Sequence, residues 1–276
     1  MAAMSRVSPD RAMRIVRFRY LGRRRYGLLD SEGVRPLSTS PFRVFQQGRD
    51  LADCVEDGVV FGRDEVVLLP PCAPGKYVGI GINYRATAEA LGMAVSEEPV
   101  VYVRPPNCII GDGDRIELPV DGEVVCEGEL AAVIGRRGRD IAEGDVAAHV
   151  IGYTLTNDLM DVAQFHRDKG NPSLAKGRDG FAPLGPCIAT GLDLATAELA
   201  TFVNGTRVQA GFARDMLFGV ERCVSHVSRF MTLEPGDVVA LGCPPTPARI
   251  APGDRIEIGC APIGTLANEV AGAPRT

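Results

Sequence analysis

The stretch VVCEGELAAVIG, Val124 to Gly135, restricts the folding of this 276-residue chain more than any other. Apolar residues fill it nearly end to end, so it reads as a buried strand, yet it carries two glutamates. In an extended chain residues i and i+2 face the same way, about 7 Å apart. Glu127 and Glu129 therefore share a face, with only Gly128 between them. Two like charges in an apolar setting repel each other and lose their hydration, so something must neutralise them. The run HVIGYTLTND (149–158) ends in a third carboxylate, Asp158, where a strand opens into a loop, the usual place for functional groups on a rigid scaffold. Three carboxylates at a sheet end would form an all-oxygen site for a hard divalent cation, Mg²⁺ or Mn²⁺, whose charge offsets the repulsion. On spacing alone, an E-x-E strand is more commonly an exposed face, and both readings stand.

The chain is long enough for one large domain, or a small one beside a medium one. Its 32 glycines and 20 prolines favour many turns and a strand-rich fold. A net charge of -5 gives no general attraction to nucleic acid or anionic membrane. No apolar run reaches the roughly 18 residues a membrane span needs. The eight cysteines are scattered singly without a C-x-x-C pair, which excludes zinc-knuckle spacing and fits a reduced, cytoplasmic setting. The N-terminus MAAMSRVSPDRAM lacks the apolar core of a secretory signal.

Punctuation along the chain divides it into a loose tail (1–12), a small N-terminal domain of mixed structure (13–70) and a larger domain (75–276), with the proline-rich LLPPCAPG between the last two. MRIVRFRYLGRRRYGLLD predicts a hairpin. KYVGIGIN, VVYVR, DRIEL, VVCEGELAAVIG, HVIGYTLTND, DVVALG and DRIEIG predict strands. TFVNGTRVQA predicts a second hairpin around Asn204-Gly205, a pair suited to a type I′ turn. Helices are expected at YRATAEALG and at LFGVERCVSHVSRFMTL (217–233), with a third, short one from Asp158. GIGINY lacks the third glycine and the helix-opening context of a phosphate loop. The expected class is α+β, dominated by antiparallel or mixed sheet.

Several motifs in order then resemble the fumarylacetoacetate hydrolase family over nearly the whole chain. Cys126-Glu127-Gly128-Glu129-Leu130 followed by Val133-Ile134-Gly135 is similar to the family's metal strand, and Gly152-Tyr153-Thr154-Leu155-Thr156-Asn157-Asp158 to its GYTxxND strand. Lys176-Gly177-Arg178-Asp179-Gly180-Phe181-Ala182-Pro183-Leu184-Gly185-Pro186 is similar to its Lys-x-x-Asp-x-Phe-x-Pro-Leu-Gly-Pro run, and VNGTRVQ, SRFMTLEPGDVV and GDRIEIGCAPIGTLANEV match further segments. The resemblance implies a mixed β-roll, barrel-like catalytic domain with a small N-terminal α+β domain, in a homodimer. It also implies Glu127, Glu129 and Asp158 as metal ligands and Lys176 as a contact to the substrate's carbonyl or enolate oxygen. Small 2-oxo or 2,4-dioxo acids are the implied substrates, with an enolate common to their hydrolysis, decarboxylation and isomerisation.

The match breaks at the lid helix. Where the family runs Asn-Tyr-x-x-His-x-x-Glu, this chain has Asn83-Tyr84-Arg85-Ala86-Thr87-Ala88-Glu89-Ala90, so Thr87 and Ala90 replace the His–Glu dyad that activates water. Glu89 is one position off, roughly 100° around a helix. The family's Arg-Asp after the Asn-Asp strand is Val162-Ala163 here. Its carboxylate-holding Thr-Gly-Thr-Pro-x-Gly loop reads Leu241-Gly242-Cys243-Pro244-Pro245-Thr246, and the lysine of its Phe-x-Lys-Pro run is Arg104. His166 lies between Asp158 and Lys176 in sequence and is the candidate for a relocated base, or else a solvated loop histidine. His149, His226 and Lys76 read as structural, and Lys169 as a surface charge. Tyr84 and Arg85 either approach a bound anion or form a solvated helix face. Asp179, Gly242 and Cys243 complete the candidate substrate-binding set, while Cys126 reads as packing.

These departures favour decarboxylation or isomerisation, which need an electron sink but no activated water. A C–C hydrolase of acylpyruvate-like substrates with a relocated base, a cyclase or dehydratase using the same pocket, and a non-catalytic binding protein are the alternatives.

Overall fold

The computed structural model describes residues 12–273; the expected tail at 1–12 lies, apart from Ala12, outside the described residues. The hairpins form where turn chemistry placed them. Arg14–Tyr20 pairs antiparallel with Arg23–Leu29, and Glu198–Val203 with Thr206–Phe212. Asn204 and Gly205 both take positive φ, 51° and 76°, as a type I′ turn requires.

Eleven strands build the main sheet. Its principal path runs Val34–Pro36, Arg23–Leu29, Arg14–Tyr20, Ala182–Ala189, Val150–Asn157, Gly128–Ile134, Val238–Ala240, Tyr77–Gly81, Val100–Arg104. The path is open at both ends, so the barrel-like closure expected from the resemblance is absent among the described residues. The N-terminal hairpin continues this same sheet, with Arg14 opposite Ala189 and Ile15 opposite Ile188. A five-stranded sheet runs Thr206–Phe212, Glu198–Val203, Arg255–Cys260, Gly264–Ala271, Arg115–Glu117. The two near-identical stretches GDRIEL and GDRIEI thus supply the strands on either side of Gly264–Ala271, one parallel and one antiparallel to it.

Gly128–Ile134 is buried along its whole length. Leu130, Ala132 and Ile134 join one apolar cluster, Ala131 and Val133 the other, so the strand is a wall between two cores. A strand covered on both faces reads as a continuous apolar run rather than an alternating one. Glu129 leaves on the Ala131/Val133 face, at the end where the main sheet stops.

The single strand expected from Val124 to Gly135 is in fact two. Val124–Cys126 pairs with Met160–Asp161 and Ala248–Arg249 in a separate three-stranded sheet, and the chain crosses into the main sheet at Glu127. The crossing leaves no backbone group stranded, which burial would make costly. The Glu127 amide donates to Asn157 Oδ1 at 3.0 Å, and the Asp158 amide donates to the Glu127 carbonyl at 2.8 Å.

Arg85–Ala90 and Val220–Phe230 are helical as expected. The third helix starts later than predicted, at Val162, because Asp161 caps it by accepting from the Gln164 amide. A further short helix, Pro172–Lys176, carries Lys176 in its last turn. No helix among the described residues is long and apolar enough to cross a membrane.

Asn83 fastens the lid helix to the core. Fully buried, it donates to the carbonyls of Phe218 (2.9 Å) and Leu241 (2.8 Å) and accepts from the Phe218 amide. Asn83→Ala strands all three groups and should destabilise the protein by about 2–4 kcal/mol, visible as a lower urea midpoint at unchanged slope.

Candidate active site

Strand ends and two short helices bring the acidic residues together at one end of the main sheet. Ligand atoms of Glu127, Glu129 and Cys243 all lie within 4.8 Å of one another, and all three residues are buried. Asp158, fully buried, is occupied from two sides. Arg104 pairs with its Oδ1, while Lys176 and the Tyr102 hydroxyl bond its Oδ2. The Lys176 ammonium bridges the group, donating to Glu127 Oε2 at 2.8 Å and to the Asp158 carbonyl at 3.2 Å as well as to the Asp158 carboxylate.

Were all three carboxylates ionised, they would face two cations, Lys176 and Arg104, and one negative charge would be left over. It would fall on Glu129, whose partner is the Gly242 amide, donating at 2.8 Å. Burial, and next the Asp158 charge, push the Glu129 carboxyl well above the usual range. Burial also raises Glu127, with Lys176 opposing it. For Asp158 burial acts the same way, but Lys176 and Arg104 outweigh it and hold the carboxyl below the ordinary value. Burial alone would lower the Lys176 ammonium; Asp158 and Glu127 reverse the sign. The uncompensated charge beside buried oxygen ligands is what a divalent cation would satisfy, so the donor set fits a metal ion.

Sequence reasoning marks Arg104 only as a departure from the family's Phe-x-Lys-Pro run, without a role, and does not mark Tyr102 at all. They come from Val100–Arg104, which pairs with Tyr77–Gly81 so that Gly79 lies opposite Tyr102. A Cβ on Gly79 would lie 2.1 Å from Tyr102 Cζ, so only glycine lets that ring cross the strand and reach Asp158. Arg104, 1% exposed, also donates to the carbonyls of Lys176 (2.8 Å, from Nε), Leu159 (3.2 Å) and Phe181 (2.8 Å). It ties the Lys176 helix to the Asp158 strand end. The signals for Arg104 are its place in the Phe-x-Lys-Pro run and an arginine closing an apolar β-type run; Tyr102 has none.

Thr87 has a structural use. Its hydroxyl donates to the Cys243 carbonyl at 3.1 Å, anchoring the lid helix to the 241–244 loop. In that loop Gly242 has φ +87°, and a Cβ there would lie 2.7 Å from Asn83 Cβ, so both conformation and space demand glycine. Tyr84 is 2% exposed, and its hydroxyl meets no hydrogen-bond partner among the described residues. Burial, followed by the charges of Glu129, Cys243 and Asp215, pushes the phenol above its ordinary value.

The structure does not bring His166, Arg85 or Asp179 to this cluster. His166 is exposed near the end of Val162–Arg167, because the Asp161 cap and the Arg178–Asp161 ion pair at 3.0 Å orient that helix outward. Arg85 is exposed on the lid helix, and Asp179 is exposed and accepts from Asn107. His149 Nδ1 donates to the Arg136 carbonyl at 3.2 Å, and His226 contacts Arg229. Lys76 pairs with Asp237 at 2.6 Å, away from the site, and Lys169 is a surface residue.

The family description "Fumarylacetoacetate (FAA) hydrolase C-terminal" matches residues 76–271, and "Rv2993c-like, N-terminal" matches residues 13–71. The chain belongs to the fumarylacetoacetate hydrolase family. Among solved structures of similar fold is the 5-carboxymethyl-2-hydroxymuconate delta-isomerase from Mycobacterium smegmatis, with 34% identity, TM-score 0.84, and 94% of this chain and 100% of that one covered. The 2-hydroxyhepta-2,4-diene-1,7-dioate isomerase from Mycobacterium marinum is similar at 32% identity and TM-score 0.84, covering 95% of this chain and 100% of that one. Oxaloacetate tautomerase FAHD2A, mitochondrial, from Homo sapiens is 32% identical over 259 residues, 86% of this chain and 82% of the relative.

The family's usual lysine is arginine at 104, which yields a graded test. Arg104→Met leaves Asp158 short of a buried partner and should destabilise the fold by about 3–5 kcal/mol. Arg104→Lys keeps the charge but strands the Leu159 and Phe181 carbonyls, at about 1–3 kcal/mol. Urea midpoints should fall in the order wild type, Lys, Met; equal midpoints for wild type and Met would show that the pairing contributes nothing.

Proposed function

We propose that this protein is a divalent-metal-dependent tautomerase or isomerase of small 2-oxo dicarboxylic acids, working through an enolate. The observation that carries the reading is the Lys176 ammonium, fixed between Glu127 and Asp158 beside an acidic pair with an unbalanced negative charge. Mg²⁺ or Mn²⁺ would be held by Glu127 and Glu129, with Asp158 as the third carboxylate. Such an ion supplies Lewis-acid polarisation of a 2-oxo group.

The chain's own residues account for the rest. Lys176 offers its Nζ to the oxygen on which enolate charge develops, as that oxygen displaces one carboxylate partner. A fixed cation in a dry site stabilises such charge without reorganising. Arg104 and Tyr102 keep Asp158 ionised and immobile, so the ammonium cannot drift from its position. The free, buried Tyr84 hydroxyl is a donor for a substrate carboxylate oxygen.

What favours proton transfer over hydrolysis is the lid. Thr87 spends its hydroxyl on the Cys243 carbonyl and cannot serve as a base near neutral pH, and Ala90 has no side-chain polar group. None of the chain's three histidines stands in for the missing dyad. The names of the similar proteins, two isomerases and an oxaloacetate tautomerase, agree with this direction.

With Mn²⁺ supplied, purified protein should equilibrate the keto and enol forms of oxaloacetate faster than it hydrolyses acylpyruvates. Lys176→Met should lower kcat/KM by on the order of 10²–10³-fold, as loss of one oxyanion-type donor does elsewhere. Acylpyruvate cleavage outrunning tautomerisation in a side-by-side assay would overturn the proposal.

A further inference from the structure

We infer that Cys243 is a ligand of this protein's metal ion, which makes the centre a mixed oxygen–sulfur site rather than an all-carboxylate one. The inference rests on the metal reading above and changes its donor set. The grouping of ligand atoms within 4.8 Å comprises Glu127, Glu129 and Cys243, and Asp158 is not in it. One cation bonded at ~2.0–2.3 Å to carboxylate oxygen and sulfur can draw ligands spaced this way together with small side-chain movements. Asp158, the third carboxylate, already carries Arg104 on one oxygen and Lys176 and Tyr102 on the other. The Cys243 thiol is a further donor beside the acidic pair, and no cation among the described residues pairs with it.

The loop presents this sulfur in a fixed place. Gly242 donates to Glu129 Oε2 just before it, Thr87 bonds the Cys243 carbonyl, and Gln209 Nε2 donates to the Pro244 carbonyl at 2.8 Å just after it. The second, independent observation is Tyr84. Its hydroxyl is buried without a partner among the described residues, and its ring lies beside the 241–244 loop, a Cβ on Gly211 meeting both Tyr84 Cε1 at 3.5 Å and Pro244 at 3.0 Å, as expected where a ligand on the ion would complete the polar contacts. On binding, the Cys243 S–H proton leaves to solvent and a sulfur–metal bond forms, with no change of oxidation state.

The chemical consequence is selectivity. Thiolate prefers softer ions, whereas carboxylate suits Mg²⁺ and Mn²⁺. Because nearly every site prefers later divalent metals to Mg²⁺, absolute affinity decides nothing; the change on removing sulfur does. The test uses full-length apoprotein titrated separately with Co²⁺, Cd²⁺ and Mn²⁺, as wild type, Cys243→Ser, Cys126→Ser and Glu129→Gln. Expected are a near-ultraviolet thiolate-to-cobalt absorption in wild type and Cys126→Ser, and its loss in Cys243→Ser and Glu129→Gln. Cadmium affinity of Cys243→Ser should fall by at least the roughly 10-fold that even outer-sphere substitutions cost, while Mn²⁺ affinity holds. Mn²⁺ binding with no thiolate band in wild type would overturn the inference and leave the metal reading standing. No binding of any of the three ions would overturn both. Should Cys243→Ser fail to fold, retention of the band in Cys126→Ser and its loss in Glu129→Gln decide the matter.

Discussion

The Lys176 ammonium, lodged between the Glu127 and Asp158 carboxylates, is the contact on which the architecture of this end of the molecule depends. It joins three pieces that are distant in sequence: the crossing point between two sheets, the end of the Val150–Asn157 strand, and the tip of a five-residue helix. A buried ion pair of this kind returns its desolvation cost only when the remaining donors and acceptors are satisfied. That condition explains the density of bonds around it. Arg104 satisfies carbonyls of Lys176, Leu159 and Phe181, and Tyr102 reaches the Asp158 oxygen that Lys176 also uses. The cluster is nevertheless one positive charge short, and the shortage sits on Glu129. A fold that tolerates such an imbalance gains little stability from it, which agrees with the proposal that the cluster takes a cation.

The sheet supports this cluster by covering both of its own faces. Because Gly128–Ile134 is buried on each side, its only route to solvent is along its axis, at the end where the glutamates lie. Charge placed there is shielded from water by the strand's own neighbours, and low effective dielectric then magnifies each interaction. The same shielding raises the Glu127 and Glu129 carboxyls while leaving Asp158, with its two cations, ionised. Three acids within one cluster are thereby differentiated by their partners and not by their depth.

The parts of this arrangement that depend on neighbours along the chain are legible in the sequence. Asn204-Gly205 marks its turn, the alternation around Gly-Asp marks Arg115–Glu117 and Arg255–Cys260, and the apolar run with two glutamates marks the buried strand. The parts that depend on distant pairing are not. Nothing local announces that the run breaks at Glu127, because Val124–Cys126 draws its partners from 160–161 and 248–249. Tyr102 becomes a site residue only because strand pairing sets it against Gly79. His166 misleads for the converse reason: nearness in sequence to Asp158 and Lys176 counts for little when Asp161 caps a helix that turns the imidazole outward. The barrel-like expectation fails likewise, since sheet closure is a property of edges that no single segment displays.

The 241–244 loop shows how a change of chemistry can follow from one change of hydrogen bonding. Its successive residues serve three structures at once: the Gly242 amide holds Glu129, the Cys243 carbonyl holds the lid through Thr87, and the Pro244 carbonyl accepts from Gln209, whose own Oε1 accepts from the Gly128 amide at 3.1 Å. Lid, loop and acidic strand are therefore tied together by direct hydrogen bonds. Threonine in place of a lid histidine removes a base and adds an anchor in the same step. A pocket altered in that way loses the means to deliver an activated water, yet keeps every group that stabilises negative charge on a bound oxygen. The proposed proton migration within a bound oxo acid draws on the second and, beyond an acceptor for the proton leaving carbon, requires no activated water, so the residues that differ from the family's habit and those that agree with it are compatible with one reaction.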